Sequence, residues 1–198
     1  MTKPLPNIDS NYWDQQYLKG KTGWDVGYAV PAIIEYFNQL EDKNLKILIP
    51  GAGTAHEGMY LYNLGFKNIF LLEYSKVAID QFINKYPDFP KDQIIFEDFF
   101  KHQDTYEMII EHTFFSSFKP QERHLYVEKT HELLKKEGKL IGLLFDRSFD
   151  SDFPPYGARK EDYKTLFSKY FHIKTMETAT NSIKPRKNNE LFVIFEKI

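Results

Sequence analysis

The sequence contains no cysteine. That absence excludes disulfides, cysteine-ligated zinc, iron–sulfur clusters and a thiol nucleophile of the chain's own. Long apolar runs are also missing: no stretch approaches the ~18 residues needed to span a bilayer. Residues 1–10 hold one Lys and two Pro but no apolar segment of the kind a secretory leader carries. Nor is there an excess of one charge. Lys plus Arg number 26 and Asp plus Glu 28, a net charge of −2. Nucleic-acid-binding chains usually show a basic excess or stripe. Here only Lys184, Arg186 and Lys187 cluster, around Pro185, and they read as a solvated loop. These absences predict a cytoplasmic protein with a small-molecule partner, no nucleic-acid or membrane partner, and a monomeric or weakly dimeric state.

Aromatic residues are abundant instead. The 198 residues include 18 Phe, 13 Tyr and 2 Trp, or 17% of the chain. Most of these rings must be core. The length predicts one domain over 1–198, with 1–28 as an N-terminal arm or lid.

Residues 1–9 read as an irregular arm. Asp9 or Ser10 can cap a helix through Leu18, which Gly20 and Gly23 then break. Pro31 suits the first turn of a helix whose apolar stripe is Ile33, Ile34, Phe37 and Leu40. From Leu45 strands and helices alternate. Leu45–Ile49 is a strand, Thr54 caps a helix to Asn63, Asn68–Glu73 is a strand, and Ser75 caps a helix to Tyr86. Short strands follow at Gln93–Phe96 and Tyr106–Ile110. A helix then runs from Pro120 to Lys136 and ends at Gly138, and a strand spans Lys139–Phe145. After a long loop, Asp146 to Arg159, come a helix near Glu161–Lys169 and strands near His172–Glu177 and Glu190–Glu196. Such alternation predicts an α/β fold with a mostly parallel sheet, and the last two strands form an antiparallel hairpin on it.

Ligands of open α/β sheets bind beyond the carboxyl ends of the strands. The first such turn reads Pro50-Gly51-Ala52-Gly53-Thr54, and its two glycines allow a sharp turn and close ligand approach. Glu73 ends the second strand, where a carboxylate can accept ribose hydroxyls. A dinucleotide fingerprint needs a third small residue three past Gly53, and that position is His56. The turn also lacks the Lys-Ser/Thr of a phosphate loop. A ribose without a pyrophosphate, as in S-adenosylmethionine, fits better than NAD. Glu97-Asp98-Phe99-Phe100 ends the third strand, with an acid for adenine amino hydrogens and a ring for its face. The plain alternative is a tight turn and a capped loop with core phenylalanines.

Together these segments resemble the thiopurine S-methyltransferase superfamily, and within it the halide/thiol methyltransferases. The resemblance is carried by Tyr12-Trp13-Asp14, Gly20-Lys21-Thr22-Gly23-Trp24-Asp25, Pro50-Gly51-Ala52-Gly53 with His56-Glu57, and Glu97-Asp98-Phe99-Phe100. Phe114-Phe115 and Pro154-Pro155-Tyr156 complete it. It implies a class I methyltransferase (Rossmann-like) fold: a seven-stranded, mostly parallel sheet with helices on both faces and an antiparallel last strand. It also implies S-adenosylmethionine as donor and S-adenosylhomocysteine as product. By position, Gly51, Ala52, Gly53, Glu73 and Tyr74 would hold the donor's methionine and ribose. Asp98 and Phe99 would hold its adenine, and Trp24 would close over it. Glu111 and His112 would face the methyl group and the acceptor, with Glu111 touching the donor too. Trp13, Phe115 and Tyr156 would line the acceptor side. Halide-type members usually carry Asp-Tyr where this chain has Glu111-His112, and often Cys where Ser116 stands.

The implied reaction is an in-line methyl transfer to a small soft nucleophile: a thiol, hydrosulfide or halide. Alignment and a dry site do most of that work. A neutral thiol would need a proton acceptor, and His112 is the candidate base. Of the other histidines, His56 reads as a helix-face residue or a donor to a neighbour. His102 and His124 read as solvated, and His131 and His172 as partly buried. No spacing resembles a metal site or a Gly-x-Ser-x-Gly elbow. Alternatives are an oxygen, nitrogen or metalloid acceptor, a non-catalytic donor-binding protein, and a nicotinamide oxidoreductase. The segments 1–28 and 146–159, both rich in turn residues and aromatics, are expected to act as lids.

Overall fold

The chain is described here by a computed structural model covering residues 8–198. The expected irregular arm lies, up to residue 7, outside the described residues. Seven strands, β1 (Lys46–Pro50), β2 (Asn68–Glu73), β3 (Ile94–Phe96), β4 (Tyr106–His112), β5 (Leu134–Phe145), β6 (Phe171–Thr178) and β7 (Glu190–Lys197), form one sheet. Their order is β3-β2-β1-β4-β5-β7-β6. β1 to β5 pair in parallel, and β7 runs antiparallel between β5 and β6. The sheet matches the expected class I architecture. The closing hairpin is inserted so that its first strand, not its last, forms the edge.

Strand alternation sorts the core into two layers. Leu48, Ile109, Leu140, Leu144 and Val193 face one side, packed with α5 (Arg123–Leu133) and α6 (Lys160–Phe167) through Tyr126, Leu133 and Phe167. Ile47, Ile49, Ile69, Leu71, Met108, Ile110 and Ile141 face the other. There they meet Ile33 and Phe37 of α2 (Pro31–Asn38), Leu61 of α3 (His56–Asn63) and Phe82 of α4 (Lys76–Lys85). A central strand covered on both faces needs apolar residues at both parities, which is why Ile47–Ile49 of β1 and Met108–Ile110 of β4 are continuous apolar runs.

The N-terminal helix α1 (Ser10–Leu18) is capped by Asp9, whose carboxylate accepts the Tyr12 N–H at 3.0 Å. Asp14 of α1 reaches across to the start of α4. Its Oδ1 accepts from Ser75 Oγ at 2.6 Å and from the Val77 N–H at 3.1 Å. Asp14 therefore joins the arm to the first turn of α4.

Three local expectations need correction. Thr54 does not cap α3: the helix begins at His56, and Ala55 ahead of it is left-handed with φ 49°. The Thr54 hydroxyl donates to Asp25 instead. The expected helix from Pro120 to Lys136 is a short 3-10 turn followed by α5, which ends at Leu133. Gly138 lies inside β5 rather than ending a helix, because β5 already begins at Leu134 and continues through a register shift against β4. The histidine burials differ as well. His102 is buried, its ring nitrogens 2.8 Å from Glu97 Oε2 and from the Tyr106 hydroxyl, whereas His172 is exposed. Among the described residues, no helix is long and apolar enough to cross a membrane.

Candidate functional site

A cavity of about 840 Å³ lies at the carboxyl ends of the parallel strands. Gly51 follows β1, Glu73 ends β2, Asp98 follows β3, Thr113 and Phe114 follow β4, and Phe145 ends β5, and all of them line it. Because β7 is antiparallel, its starting end is at the same edge, so Arg186 and Asn189 reach the cavity too. Tyr12, Trp13, Tyr17 and Trp24 cover it from the N-terminal side.

The glycine turn is shaped by its neighbours. Gly51 and Gly53 have φ of 58° and 54°, conformations that glycine adopts without steric cost. A Cβ on Gly51 would fall 2.2 Å from the Phe114 ring, and one on Gly53 would fall 2.6 Å from the Tyr17 hydroxyl. Phe114 is carried there by Thr113, a β-branched residue with φ 67°, whose hydroxyl donates to the His112 carbonyl at 2.6 Å. That backbone conformation is costly for threonine, and such outliers gather at ligand sites.

Glu73 is the most constrained acid of the cavity. Its Oε1 accepts the Tyr74 and Ser75 N–H groups, both at 2.8 Å, and its Oε2 accepts the Gly53 N–H at 2.9 Å. Burial pushes its carboxyl above the ordinary value, against those three hydrogen bonds. A carboxylate offers about four lone-pair positions, so one remains for a ligand hydroxyl. Asp98 accepts the Phe100 N–H at 2.9 Å and lines the cavity beside Phe99. The aromatic cover is a connected cluster. Trp24 meets Trp13 edge-on at 5.2 Å and Tyr17 at 5.7 Å, and Trp13 meets Tyr12 at 5.1 Å. Carboxylates at the β2 and β3 ends, a glycine turn and aromatic faces form a residue set that fits an adenosyl sulfonium such as S-adenosylmethionine.

Asp25 fastens Trp24 in place. Its Oδ2 accepts from Thr54 Oγ1 at 2.9 Å, and its Oδ1 accepts the Gly27 N–H at 2.7 Å and lies 3.0 Å from His56 Nε2. His56 is thus a partner of the arm. Burial raises the Asp25 carboxyl, but these hydrogen bonds and the nearby imidazole outweigh burial and leave it below the ordinary value.

Of the residues named from sequence, Trp13, Trp24, Gly51, Glu73, Tyr74, Asp98 and Phe99 line this one cavity. Ala52 and Gly53 sit in the turn beside it, and Gly53 is covered by Tyr17. Tyr156 lies in the long loop, with its N–H bonded to the Ser116 carbonyl at 2.7 Å and its hydroxyl to the Asp152 carbonyl at 2.9 Å. It is the neighbouring Pro154 and Pro155, rather than Tyr156, that line the cavity.

Glu111, His112 and Phe115 depart from expectation. Adjacent residues of a strand point to opposite faces, and Glu111 and His112 turn to opposite sides of the sheet. Glu111 turns to the α5 side and is fully buried. Its Oε2 accepts from the Tyr126 hydroxyl at 2.6 Å and its Oε1 from the Phe115 N–H at 2.8 Å. Burial pushes its carboxyl up to about 7, against those bonds. Phe115 packs in the core on Tyr126 and Tyr163. His112 turns to the α3 side. Its Nδ1 lies 3.2 Å from Glu57 Oε1 and its Nε2 lies 3.0 Å from Arg186 Nη1, so both ring nitrogens are engaged. None of the three lines the cavity.

The residue that sequence reasoning missed is Arg186. It was read as part of a solvated basic loop, but it is 9% exposed. Its Nη2 donates to the Trp24 carbonyl at 2.8 Å. Glu190, four residues on, is its one near partner, but the groups that hold it at the cavity, His112 and the Trp24 carbonyl, lie 74 and 162 residues away in sequence. Asp25 and Glu57 stand in the segments that carry the resemblance, but their partners Thr54, His56, Val30 and His112 are likewise remote in sequence. The opposed directions of Glu111 and His112, by contrast, were available from strand parity.

The family model for thiopurine S-methyltransferase matches residues 8–198. A probable thiol methyltransferase 2 of Arabidopsis thaliana is 28% identical over 187 residues, covering 91% of this chain and 82% of that protein. Thiocyanate methyltransferase 1 of Brassica oleracea is 25% identical over 205 residues, covering 100% of this chain and 90% of that protein. Among solved structures, the 1,6-didemethyltoxoflavin-N1-methyltransferase of Burkholderia thailandensis superposes with a TM-score of 0.79. It is 12% identical, and the match covers 100% of this chain and 93% of that one, a likeness of fold.

Proposed function

This chain belongs to the thiopurine S-methyltransferase family and is an S-adenosylmethionine-dependent methyltransferase, and we propose that it methylates a small, soft, anionic nucleophile: a thiolate, hydrosulfide or halide. The observation that carries this reading is the charge of the cavity wall built from residues 145–189. That wall consists of Phe145, Arg147, Phe149, Pro154, Pro155, Pro185, Arg186 and Asn189. It contributes two arginines, among rings and prolines, and no acidic residue to the lining. Arg147 lies 4.7 Å over the Phe149 ring, so its charge is held by stacking. Arginine is more weakly hydrated than lysine, which suits a cation that must meet a partly dehydrated anion.

S-adenosylmethionine, when bound, would supply an electrophilic methyl group on a sulfonium: an acceptor lone pair would bond to the methyl carbon in line as the carbon–sulfur bond breaks, its electron pair leaving with S-adenosylhomocysteine as the neutral thioether. Gly51, Glu73, Asp98 and Phe99 would hold that donor, and Trp13, Tyr17 and Trp24 would exclude water from it. An acceptor that arrives as an anion needs no proton removed, which agrees with the absence of a free imidazole in the cavity lining. Residues 8–28, the described part of the 1–28 arm, and the loop 146–159 read as the lids of a single methyltransferase unit. Both put aromatic or proline side chains on the cavity and are tied down by side-chain hydrogen bonds, such as those from Arg123 to the Tyr156 and Gly157 carbonyls.

The test is an incubation of the full chain with methyl-labelled donor and a panel of iodide, hydrosulfide, thiols, an alcohol, an amine and tellurite. Label transfer to iodide, hydrosulfide or the thiols at rates well above the alcohol and amine is expected. Preferred transfer to the alcohol or amine would overturn the reading, as would donor binding with no turnover on any member.

A further inference from the structure

We propose that His112 is a positioning residue: held by Glu57, it sets the direction in which Arg186 presents its guanidinium to the acceptor. The inference rests on the anionic-acceptor reading above.

Arginine has donors and no acceptor. The 3.0 Å contact between Arg186 Nη1 and His112 Nε2 therefore requires Nε2 to accept. The ring proton then sits on Nδ1, where Glu57 Oε1, 3.2 Å away, accepts it. The same Glu57 oxygen accepts the Val30 N–H at 3.2 Å. A carboxylate, an imidazole and a guanidinium thus run in series from α3, through the end of β4, to the cavity wall. In other sites a carboxylate behind an imidazole fixes its tautomer and orientation in the same way. Here the imidazole hands that order on to a cation.

The geometry also shows what the imidazole opposes. The only carboxylate near Arg186 among the described residues is Glu190, at 3.4 Å from the same Nη1 and 2% exposed. Glu190 is the first residue of β7 and pulls the guanidinium toward the sheet. Arg186 Cζ also lies 5.4 Å over the Phe145 ring, and Nη2 is held by the Trp24 carbonyl. With Nε2 in place, Nη1 is shared between imidazole and carboxylate, and the charge stays less than fully neutralised beside the cavity. Without Nε2, Nη1 loses its neutral acceptor, and the guanidinium turns into a closed ion pair with Glu190.

The experiment uses the full chain and reads iodide KM and kcat, and iodide affinity by direct titration into the S-adenosylhomocysteine complex. His112→Asn keeps a polar group facing Glu57 but is too short to reach Arg186. His112→Gln can place its amide oxygen where Nε2 was. Asn should weaken iodide binding about tenfold, the size expected for one hydrogen bond to a charged group, and Gln should stay within about threefold, with S-adenosylhomocysteine affinity little changed in both. Arg186→Gln should weaken iodide binding at least as much. The His112→Asn, Arg186→Gln double variant should match Arg186→Gln alone, because the two residues act in one chain. If Asn and Gln behave alike, or if the two effects multiply in the double variant, His112 does not act through Arg186. If Arg186→Gln leaves iodide binding unchanged, the anionic-acceptor reading itself fails and this proposal falls with it.

Discussion

The Tyr126 hydroxyl donates a 2.6 Å hydrogen bond to Glu111 in the fully buried layer between β4 and α5. The carboxyl of Glu111 is pushed by that burial up to about 7 from an ordinary value of 4.5. Between those two values the folded chain binds a proton that the unfolded chain has released. Stability must therefore fall as pH rises from about 4.5 to about 7, by on the order of 3 kcal/mol over the whole window. Glu111→Gln removes the titration. Denaturant unfolding of both proteins at pH 5, 6, 7 and 8 should give curves that diverge, with wild type losing stability relative to the variant as pH rises. Parallel curves would show that Glu111 is ionised throughout.

Gly51→Ala should damage both folding and donor binding. The new methyl would meet the Phe114 ring at 2.2 Å in a backbone conformation with φ 58°. Left-handed strain and the displaced ring together should cost about 2 kcal/mol or more. The check is a denaturation midpoint together with S-adenosylhomocysteine affinity. An alanine variant with unchanged values for both would mean that the turn does not need glycine.

Asp25 holds the Trp24 segment to the glycine turn through Thr54 and His56. Asp25→Ala should expose residues 19–28 to proteolysis and weaken S-adenosylhomocysteine binding about tenfold. In the wild type the same segment should become protected on ligand addition. Because the Asp25 carboxyl lies below its ordinary value, this fastening is present above the ordinary carboxylate range. It is lost only as pH falls through the lower folded value. Digestion rates that ignore both the ligand and the substitution would rule out a lid.

Arg147 is exposed at the end of β5 and stacked on Phe149. Arg147→Gln should lower kcat/KM for iodide and hydrosulfide about three- to tenfold, with an effect that shrinks as salt rises. Global stability should be nearly unchanged, since the side chain is at the surface. An equal loss at low and high ionic strength would point to packing rather than charge.

The sheet and most of its elements were legible in the sequence because their signals are local. Apolar runs, turn glycines and caps such as Asp9 and Ser75 lie within a few residues of what they control. The helix after Pro120 was drawn too long because Leu133 and Leu134 continue its apolar pattern, while the pairing that makes Leu134 a strand comes from Tyr106 on β4. The shared cavity position of Gly51, Glu73, Asp98 and Phe99 was legible for a related reason: they stand at or just past strand ends, and strand ends are marked by sequence.

The acceptor side was a different matter. The resemblance places Glu111 and His112 together at the acceptor, but they end β4, and pleating sends one to Tyr126 and the other to Glu57. Arg186 reads as a surface cation because Lys184 and Lys187 flank it, and the groups that hold it at the cavity, His112 and the Trp24 carbonyl, are remote in sequence. By itself, the sequence determined the fold, the glycine turn and the acids beyond β2 and β3, all through short-range pattern. The tertiary structure alone decided which charges meet, because Arg186, His112, Glu57 and the Trp24 carbonyl come from four separate segments, brought together only when the sheet closes over its antiparallel strand.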